Sequence, residues 1–172
     1  MTESAFLTYC IALDPGETTG ICVVEKESEP WAIRPVELGG QHHSKLLKFL
    51  HSEMPRFVVC ETFENRGQSS AVLSSREYIG VVKVYLQVTK AAGIWQSAST
   101  GKFFWTDDKL KAHGLYVVSK KHARDAVRHY AHWRTFQLND YSLIGRRSKS
   151  LREAGLLTSP PEEVGPESTD SP

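Results

Sequence analysis

The chain has 172 residues, of which 40% are hydrophobic and 24% are charged, which suits one globular domain and excludes disorder along the whole length. The formal net charge is +1 at pH 7. Taken as a whole, this charge argues against a nucleic-acid partner, because phosphate binding usually leaves a basic excess.

Basic and acidic residues are nevertheless unevenly distributed. Residues 1–101 hold nine basic and eleven acidic side chains, whereas residues 102–152 hold twelve basic and four acidic ones. Residues 153–172 hold five acidic side chains and no basic one. The near-neutral total therefore conceals a strongly basic segment in the second half of the chain.

The first half of the chain predicts three strands, a helix and a fourth strand. Apolar, β-prone runs predict the three strands over residues 6–13, 20–25 and 31–38. Short connections between them indicate an antiparallel meander. Leucines at helical spacing predict a helix over residues 44–54. The continuous apolar run over residues 56–61 is typical of a strand buried on both faces of a parallel sheet.

The second half predicts a long helix, a short strand and two further helices. An apolar stripe predicts the long helix over residues 71–92, and this stripe either packs in the core or forms a dimer surface. The later elements are predicted over residues 94–96, 106–114 and 120–136. Ser119 is the candidate N-cap of the last helix.

This order of elements indicates an α/β fold with a mixed sheet, in which three antiparallel strands are followed by parallel strands and helices flank the sheet. Residues 158–172 contain four prolines and one apolar side chain, which predicts a disordered acidic tail. We therefore expect one domain over residues 1–157 followed by a tail.

The three cysteines, Cys10, Cys22 and Cys60, lie in apolar runs without C-x-x-C spacing, which favours buried, reduced thiols. No basic segment precedes an apolar stretch at the start of the chain, and no apolar run approaches the ~20 residues that span a bilayer. We expect a soluble, cytoplasmic protein.

Carboxylates follow two of the predicted buried strands directly. Asp14 comes after CIAL and Glu61 comes after FVVC, at the edge of the sheet where α/β proteins assemble sites. Each is also compatible with a turn or loop role. His122 and Asp125 are three residues apart and share a helix face. If these groups meet, a cation must offset their repulsion, and hard oxygen ligands favour Mg²⁺ or Mn²⁺ over zinc.

Three motifs, in this order, resemble a known family. They are Ala12-Leu13-Asp14-Pro15-Gly16 with Thr19-Gly20, then Val58-Val59-Cys60-Glu61, then His122-x-x-Asp125-Ala126. They are similar to the RuvC-like Holliday junction resolvases of the RNase H-like superfamily, especially short phage-encoded members, over about residues 8–132. The resemblance implies an RNase H-like fold, a homodimer and metal-dependent nicking of branched DNA in recombination or phage DNA processing.

The resemblance also implies a catalytic metal site. Asp14, Glu61 and Asp125 match the metal-binding acids, and His122 matches a fourth site residue that is Asp in some members and His in others. Two Mg²⁺ or Mn²⁺ ions in such a site support in-line displacement at phosphorus. His122 either binds metal or handles protons. Glu64 competes with Glu61 as a ligand.

Residues that would contact DNA lie around these motifs. The resemblance implies Lys102 at the scissile phosphate, and Phe63 is the nearest match to an aromatic wedge at the junction, with Arg66 beside it. The remaining predicted contacts are basic residues around the His-x-x-Asp motif, namely Lys120, Lys121, Arg124 and Arg128. Further basic residues follow at Arg146, Arg147, Lys149 and Arg152. His129 and His132 are interpreted as helix-surface histidines near the DNA.

Other functions fit part of the pattern. The turn after Asp14 also resembles the phosphate-binding turn of actin-like kinases and ATPases, but that class needs two large lobes that 172 residues do not supply. A catalytically silent module that binds branched DNA and a flap or fork nuclease of the same fold remain as alternatives. A pure binder gains nothing from three repelling carboxylates, whereas the sequence does not choose among branched substrates.

Overall fold

The computed structural model of the chain describes residues 8–25, 32–62 and 70–139. The strands within these ranges are β1 (Thr8–Asp14), β2 (Thr18–Glu25), β3 (Ile33–Gly39), β4 (Phe57–Thr62) and β5 (Ala92–Ser97). The α-helices are α1 (His43–Glu53), α2 (Ser70–Thr89), α3 (Ala98–Phe104), α4 (Asp107–Ala112) and α5 (Lys121–His132), and a π-helical turn (Trp133–Gln137) follows α5. None of these helices is long and apolar enough to cross a membrane.

The strands form one mixed sheet in the order β3-β2-β1-β4-β5. β2 runs antiparallel to both β1 and β3, whereas β4 is parallel to β1 and β5 is parallel to β4. The predicted α/β fold, with three antiparallel strands followed by parallel ones, is confirmed. β1 lies at the centre, so its two faces belong to different halves of the core.

Helices cover both faces of the sheet. On one face, Trp105, Val127 and Tyr130 from the segment that contains α4 and α5 pack against Cys10 and Ala12 of β1. On the other face, the buried residues come from α1, α2 and the alternate strand positions, and they include Ile11, Leu13, Leu46, Leu50, Tyr78, Val82 and Tyr85. The apolar stripe of α2 therefore contributes these tyrosines and Val82 to the core. The three cysteines are free and buried, as predicted.

Several boundaries differ from the sequence predictions. α3 was not predicted, because its sequence ASTGKFF has little helical periodicity; instead Gly101 lets it pack against α5, where an added Cβ would lie 3.0 Å from the carbonyl carbon of Arg128. α2 ends earlier than expected because β5 begins at Ala92, opposite Phe57 of β4. The predicted tail lies outside the described residues, and so does the domain end at residue 157.

The start of α5 is held by the sheet rather than by its own sequence. Ser119 has a φ of 66° and does not cap the helix; the residue at the N-cap position is Lys120, whose side chain makes no capping bond. The Glu37 side chain of β3 accepts hydrogen bonds from the backbone N–H groups of His122 and Ala123, at 2.9 and 3.2 Å. A carboxylate at this end also complements the helix dipole.

A glycine allows the first turn of α5 to touch the sheet. A Cβ added to Gly20 of β2 would lie 2.0 Å from the carbonyl carbon and oxygen of His122 and 2.5 Å from the nitrogen of Ala123. These are backbone atoms, so the contact cannot be relieved by a side-chain rotation. Gly20 therefore sets the distance between α5 and the sheet.

We predict that Gly20→Ala lowers the free energy of unfolding by about 3 kcal/mol, at the upper end of the usual cost of overpacking, because α5 must move as a unit. Gly93→Ala is the matched control: it also adds a methyl group to a strand, but the nearest atom, 2.5 Å away, is Cδ1 of the flexible Leu86 side chain. Urea denaturation of both variants tests this. Equal midpoints for the two variants would contradict the described contact.

Candidate active site

An open cleft of about 480 Å³ lies at the edge of the sheet where β1 and β4 end. Its lining includes the four predicted metal-binding residues and the predicted phosphate-binding lysine, which are Asp14, Glu61, Lys102, His122 and Asp125. They come from β1, β4, α3 and α5. The structure therefore brings together side chains that are up to 111 positions apart in the sequence.

The strand register explains why the two strand-end acids meet. Leu13 of β1 pairs with Cys60 of the parallel strand β4, so the next residue of each strand, Asp14 and Glu61, reaches the same edge. Gly20 is the partner of Asp14 across the antiparallel pair, and it lies against the first turn of α5. The close contact at Gly20 thus brings the α5 residues to Asp14.

Asp14 is buried among like charges. Its side chain is 10% exposed, and its Oδ2 lies 3.2 Å from Nδ1 of His122. Burial, together with the neighbouring carboxylates of Glu61 and Asp125, raises the pKa of Asp14 from 3.8 to about 6. The three acids are therefore close enough to interact, which the sequence could only suggest.

Asp125 contacts a cation through each of its carboxylate oxygens. Oδ2 lies 3.1 Å from Nζ of Lys102, and Oδ1 accepts from the guanidinium of Arg128. Arg128 also contacts Asp107 of α4 and donates from Nε to the carbonyl oxygen of Trp105 at 2.8 Å. Burial alone lowers the pKa of Lys102, but Asp125 outweighs this effect and raises it above its usual range. Lys102 is thus a cation within the acidic cluster.

Glu61 is held by a histidine whose role the sequence analysis did not identify. The Glu61 side chain is 2% exposed, and its Oε2 lies 2.7 Å from Nε2 of His129. The other ring nitrogen of His129 lies 2.9 Å from Oε1 of Gln96 on β5. The interpretation of His129 as a surface histidine is wrong, because the ring is completely buried. Its position four residues after Asp125, on the same helix face, was the available signal.

A second histidine supports the turn that follows Asp14. Oγ1 of Thr19 lies 3.4 Å from the backbone nitrogen of Gly16 and donates to its carbonyl oxygen at 3.3 Å. Nε2 of the buried His42 lies 2.7 Å from the same hydroxyl, and the His42 ring stacks on Tyr78 at 3.9 Å between centroids. This chain of contacts ties the β1–β2 turn to α1 and α2.

The basic residues predicted to contact DNA fall into two groups. Lys120 and Lys121 are exposed, and Lys121 lines the cleft. The side chains of Arg124 and Arg128 are only 17% and 11% exposed, and both contact Asp107. Arg124 also donates to the hydroxyl of Tyr116 at 2.9 Å. The two arginines therefore act inside the protein, joining α5 to α4 and to the segment before it.

Aromatic residues near Lys102 also divide by exposure. Phe103 is 91% exposed, whereas Trp105 is completely buried in the core. The predicted wedge Phe63, its neighbour Arg66 and the competing acid Glu64 lie outside the described residues.

The side chains at the cleft suit a hard divalent cation by their chemistry. Three carboxylates and one imidazole are donors that Mg²⁺ and Mn²⁺ accept, and the mutual repulsion that raises the pKa of Asp14 is what a cation would offset. In the part of the chain that the structure describes, no three His, Cys, Asp or Glu side chains are already arranged around one ion. The fit therefore lies in the type of the donors and in their position along one cleft.

Comparison with solved structures identifies proteins that share this fold. No protein-family model and no curated protein sequence matches the chain. The chain is similar to Thermus thermophilus RuvC solved in complex with a Holliday junction substrate, with a TM-score of 0.58 and 16% identity over 79% of this chain and 95% of that one. Another T. thermophilus RuvC structure gives a TM-score of 0.50 and 18% identity, over 79% of this chain and 96% of that one. The resemblance to the RuvC-like, RNase H-like fold is confirmed.

We predict that Asp14→Asn stabilises the metal-free protein above pH 6. Below pH 3.8, Asp14 is protonated in both folded and unfolded chains and has no effect. As the pH rises to about 6, the unfolded chain ionises first, so stability falls, and above that pH the loss reaches about 3 kcal/mol. Asparagine removes this loss.

Thermal unfolding in EDTA at pH 4 and pH 8 measures the effect. The gain in melting temperature should be large at pH 8 and several-fold smaller at pH 4. Asp108→Asn, at a side chain that is 94% exposed, is the control and should change neither value. A gain of equal size at both pH values would contradict the buried, raised-pKa state of Asp14.

Proposed function

We propose that this chain is a divalent-metal-dependent endonuclease that hydrolyses phosphodiester bonds in branched DNA. The observation that carries the proposal is the convergence of three buried carboxylates, a histidine and a lysine in one open cleft at the end of the central strands. The substrate class is supported by the similarity in fold to T. thermophilus RuvC, whose structure was solved with a Holliday junction substrate.

Asp14, Glu61 and Asp125 would hold the metal through their oxygens, with His122 as a further ligand. Two bound Mg²⁺ or Mn²⁺ ions would supply an activated water and stabilise the leaving oxygen. The protein's part is to fix the carboxylates in place. The β1–β4 register fixes two of them, and the contact of α5 with Gly20 fixes the others.

Lys102 would contact the phosphate at the cleavage point. Its Nζ lies 3.1 Å from Oδ2 of Asp125, and its side chain is 47% exposed, so it can reach both the carboxylates and a ligand in the cleft. Its ammonium already neutralises part of the charge on Asp125. A phosphate entering the cleft would therefore meet a positive group beside the acids.

The exposed lysines beside the cleft would hold the DNA backbone. Lys120 and Lys121 lie at the start of α5, and Phe103 next to Lys102 offers an exposed ring for stacking on a base. Cutting a four-way junction symmetrically also requires two active sites, so we propose that the chain acts as a homodimer.

A catalytically silent DNA-binding module is the second candidate. It is favoured by one observation, that both oxygens of Asp125 already contact cations, Lys102 and Arg128. In that case the three acids would be neutralised within the protein and would bind no metal. Cleavage assays separate the two candidates.

We predict that Asp14→Asn lowers the rate of cleavage of a four-way junction by at least about 100-fold in Mg²⁺ or Mn²⁺, because a lost ligand removes several kcal/mol of charge stabilisation. Asp108→Asn is the matched control, since it makes the same substitution at an exposed site, and it should cut at the wild-type rate. Gel assays with labelled junction, flap and linear duplex measure the rates.

Each outcome of this assay has a clear meaning. Equal rates for wild type and Asp14→Asn would reject the metal site. Tight junction binding by wild type without cleavage would select the silent module. Equal cleavage of linear duplex and junction would keep the nuclease but remove the preference for branched DNA.

We also predict that the double substitution Lys120→Ala and Lys121→Ala weakens binding to all DNA shapes alike. Each lost phosphate contact should lower the slope of log affinity against log salt by about 0.9, so the pair should lower it by about 2. Lys45→Ala with Lys48→Ala removes the same charge from exposed positions on α1, on the opposite face of the sheet. Equal slopes for the two double variants would contradict the proposed DNA surface.

A further inference from the structure

His129 and Glu61 form a buried pair at the cleft, whose lining also includes the solvent-exposed side chains of Lys102 and Lys121. His129 is completely buried, Glu61 is 2% exposed, and their Nε2 and Oε2 atoms are 2.7 Å apart. Glu61 also lines the cleft. One oxygen of this carboxylate is therefore taken by the protein, which leaves the other for a ligand.

Gln96 fixes the histidine ring from the opposite side. It is the β5 partner of Glu61 across the parallel β4–β5 pair, and its Oε1 lies 2.9 Å from Nδ1 of His129. Nε2 of Gln96 is buried and has no hydrogen-bond partner among the described residues. If the amide is turned so that Nε2 faces the ring, it donates to Nδ1, and His129 donates from Nε2 to Glu61. Each ring nitrogen of His129 then faces an atom of the opposite hydrogen-bonding role.

We propose that His129 is a positioning residue that sets the orientation of the Glu61 carboxylate for divalent-metal binding, with Gln96 holding the ring. This inference rests on the proposed function of the cleft. A buried carboxylate without a hydrogen-bond donor is costly, and hydrogen bonds to a metal-binding carboxylate typically change metal affinity by 10- to 100-fold.

The position of His129 on α5 gives this contact a second consequence. His129 lies four residues after Asp125, so both side chains are on the same face of one helix. The hydrogen bond from His129 therefore ties β4, which carries Glu61, to the helix that carries Asp125. The distance between these two acids is held directly, rather than through the sheet and the β2–α5 contact alone.

The test is Mn²⁺ binding by the full chain without DNA, measured by titration calorimetry and by electron paramagnetic resonance of free Mn²⁺. His129→Leu keeps the bulk of the ring but removes the donor, and we expect it to weaken Mn²⁺ binding by about 10- to 100-fold. His129→Gln keeps a donor at the place of Nε2, and we expect binding within about threefold of wild type. His132→Leu, on the same helix beside Phe136, is the matched control and should bind as wild type.

Rescue by glutamine separates positioning from packing. Wild-type affinity in His129→Leu would overturn the proposal, and so would equal losses in the leucine and glutamine variants. If circular dichroism finds His129→Leu unfolded, the Gln96→Leu variant tests the proposal instead, since it removes only the side chain that holds the His129 ring. It should weaken Mn²⁺ binding by several-fold, and unchanged binding would overturn the proposal.

The same measurements keep this proposal apart from the proposed function. If Mn²⁺ binding falls in His129→Leu and returns in His129→Gln while wild type cuts no DNA, the positioning role stands and the nuclease fails. If wild type cuts junctions and His129→Leu binds Mn²⁺ normally, the nuclease stands and the positioning role fails. Wild type that binds no Mn²⁺ overturns both.

Discussion

The arrangement of the cleft depends on the contact between the first turn of α5 and Gly20 of β2. Backbone meets backbone there, because a single methyl group at Gly20 would overlap the carbonyl of His122. Glu37 on the next strand fixes the same turn by accepting from two of its N–H groups. Since Gly20 is paired with Asp14, this contact sets where the acid of α5 lies relative to the acids of the strands. A helix held at this point by side chains alone would lie farther from the sheet.

The acids that converge there would destabilise the fold if they were left alone. Burial and mutual repulsion raise the pKa of Asp14, and the other two acids are buried as well. The protein compensates each one with a different partner: His122 beside Asp14, His129 beside Glu61, and Lys102 with Arg128 beside Asp125. Buried charge of this kind is typical of functional sites, which are maintained at the expense of stability.

The sequence predicted the parts of the site that depend on local rules. An acid directly after a buried strand was enough to find Asp14 and Glu61, and helix spacing was enough to pair His122 with Asp125. The sequence did not predict residues that contact a different helix or strand. Nothing near Glu37 or Gln96 in the sequence indicates which distant group each of them contacts. α3 was not predicted for a similar reason, since this helix depends on the packing of Gly101 against α5 rather than on a helical periodicity of its own.

The basic segment that first suggested a DNA partner serves two purposes in the described structure. Arg124 and Arg128 both form ion pairs with Asp107, and Arg128 also pairs with Asp125. These contacts hold α4, α5 and an acid of the cleft together. Charge used in this way contributes little to the field outside the protein, because each guanidinium is buried beside a carboxylate. Among the described residues of this segment, the proposed attraction for phosphate near the cleft would therefore come from the exposed Lys120 and Lys121, with Lys102 between the acids and solvent. A count of basic residues along the sequence overstates the proposed DNA-binding surface, since burial decides which of them a phosphate can reach.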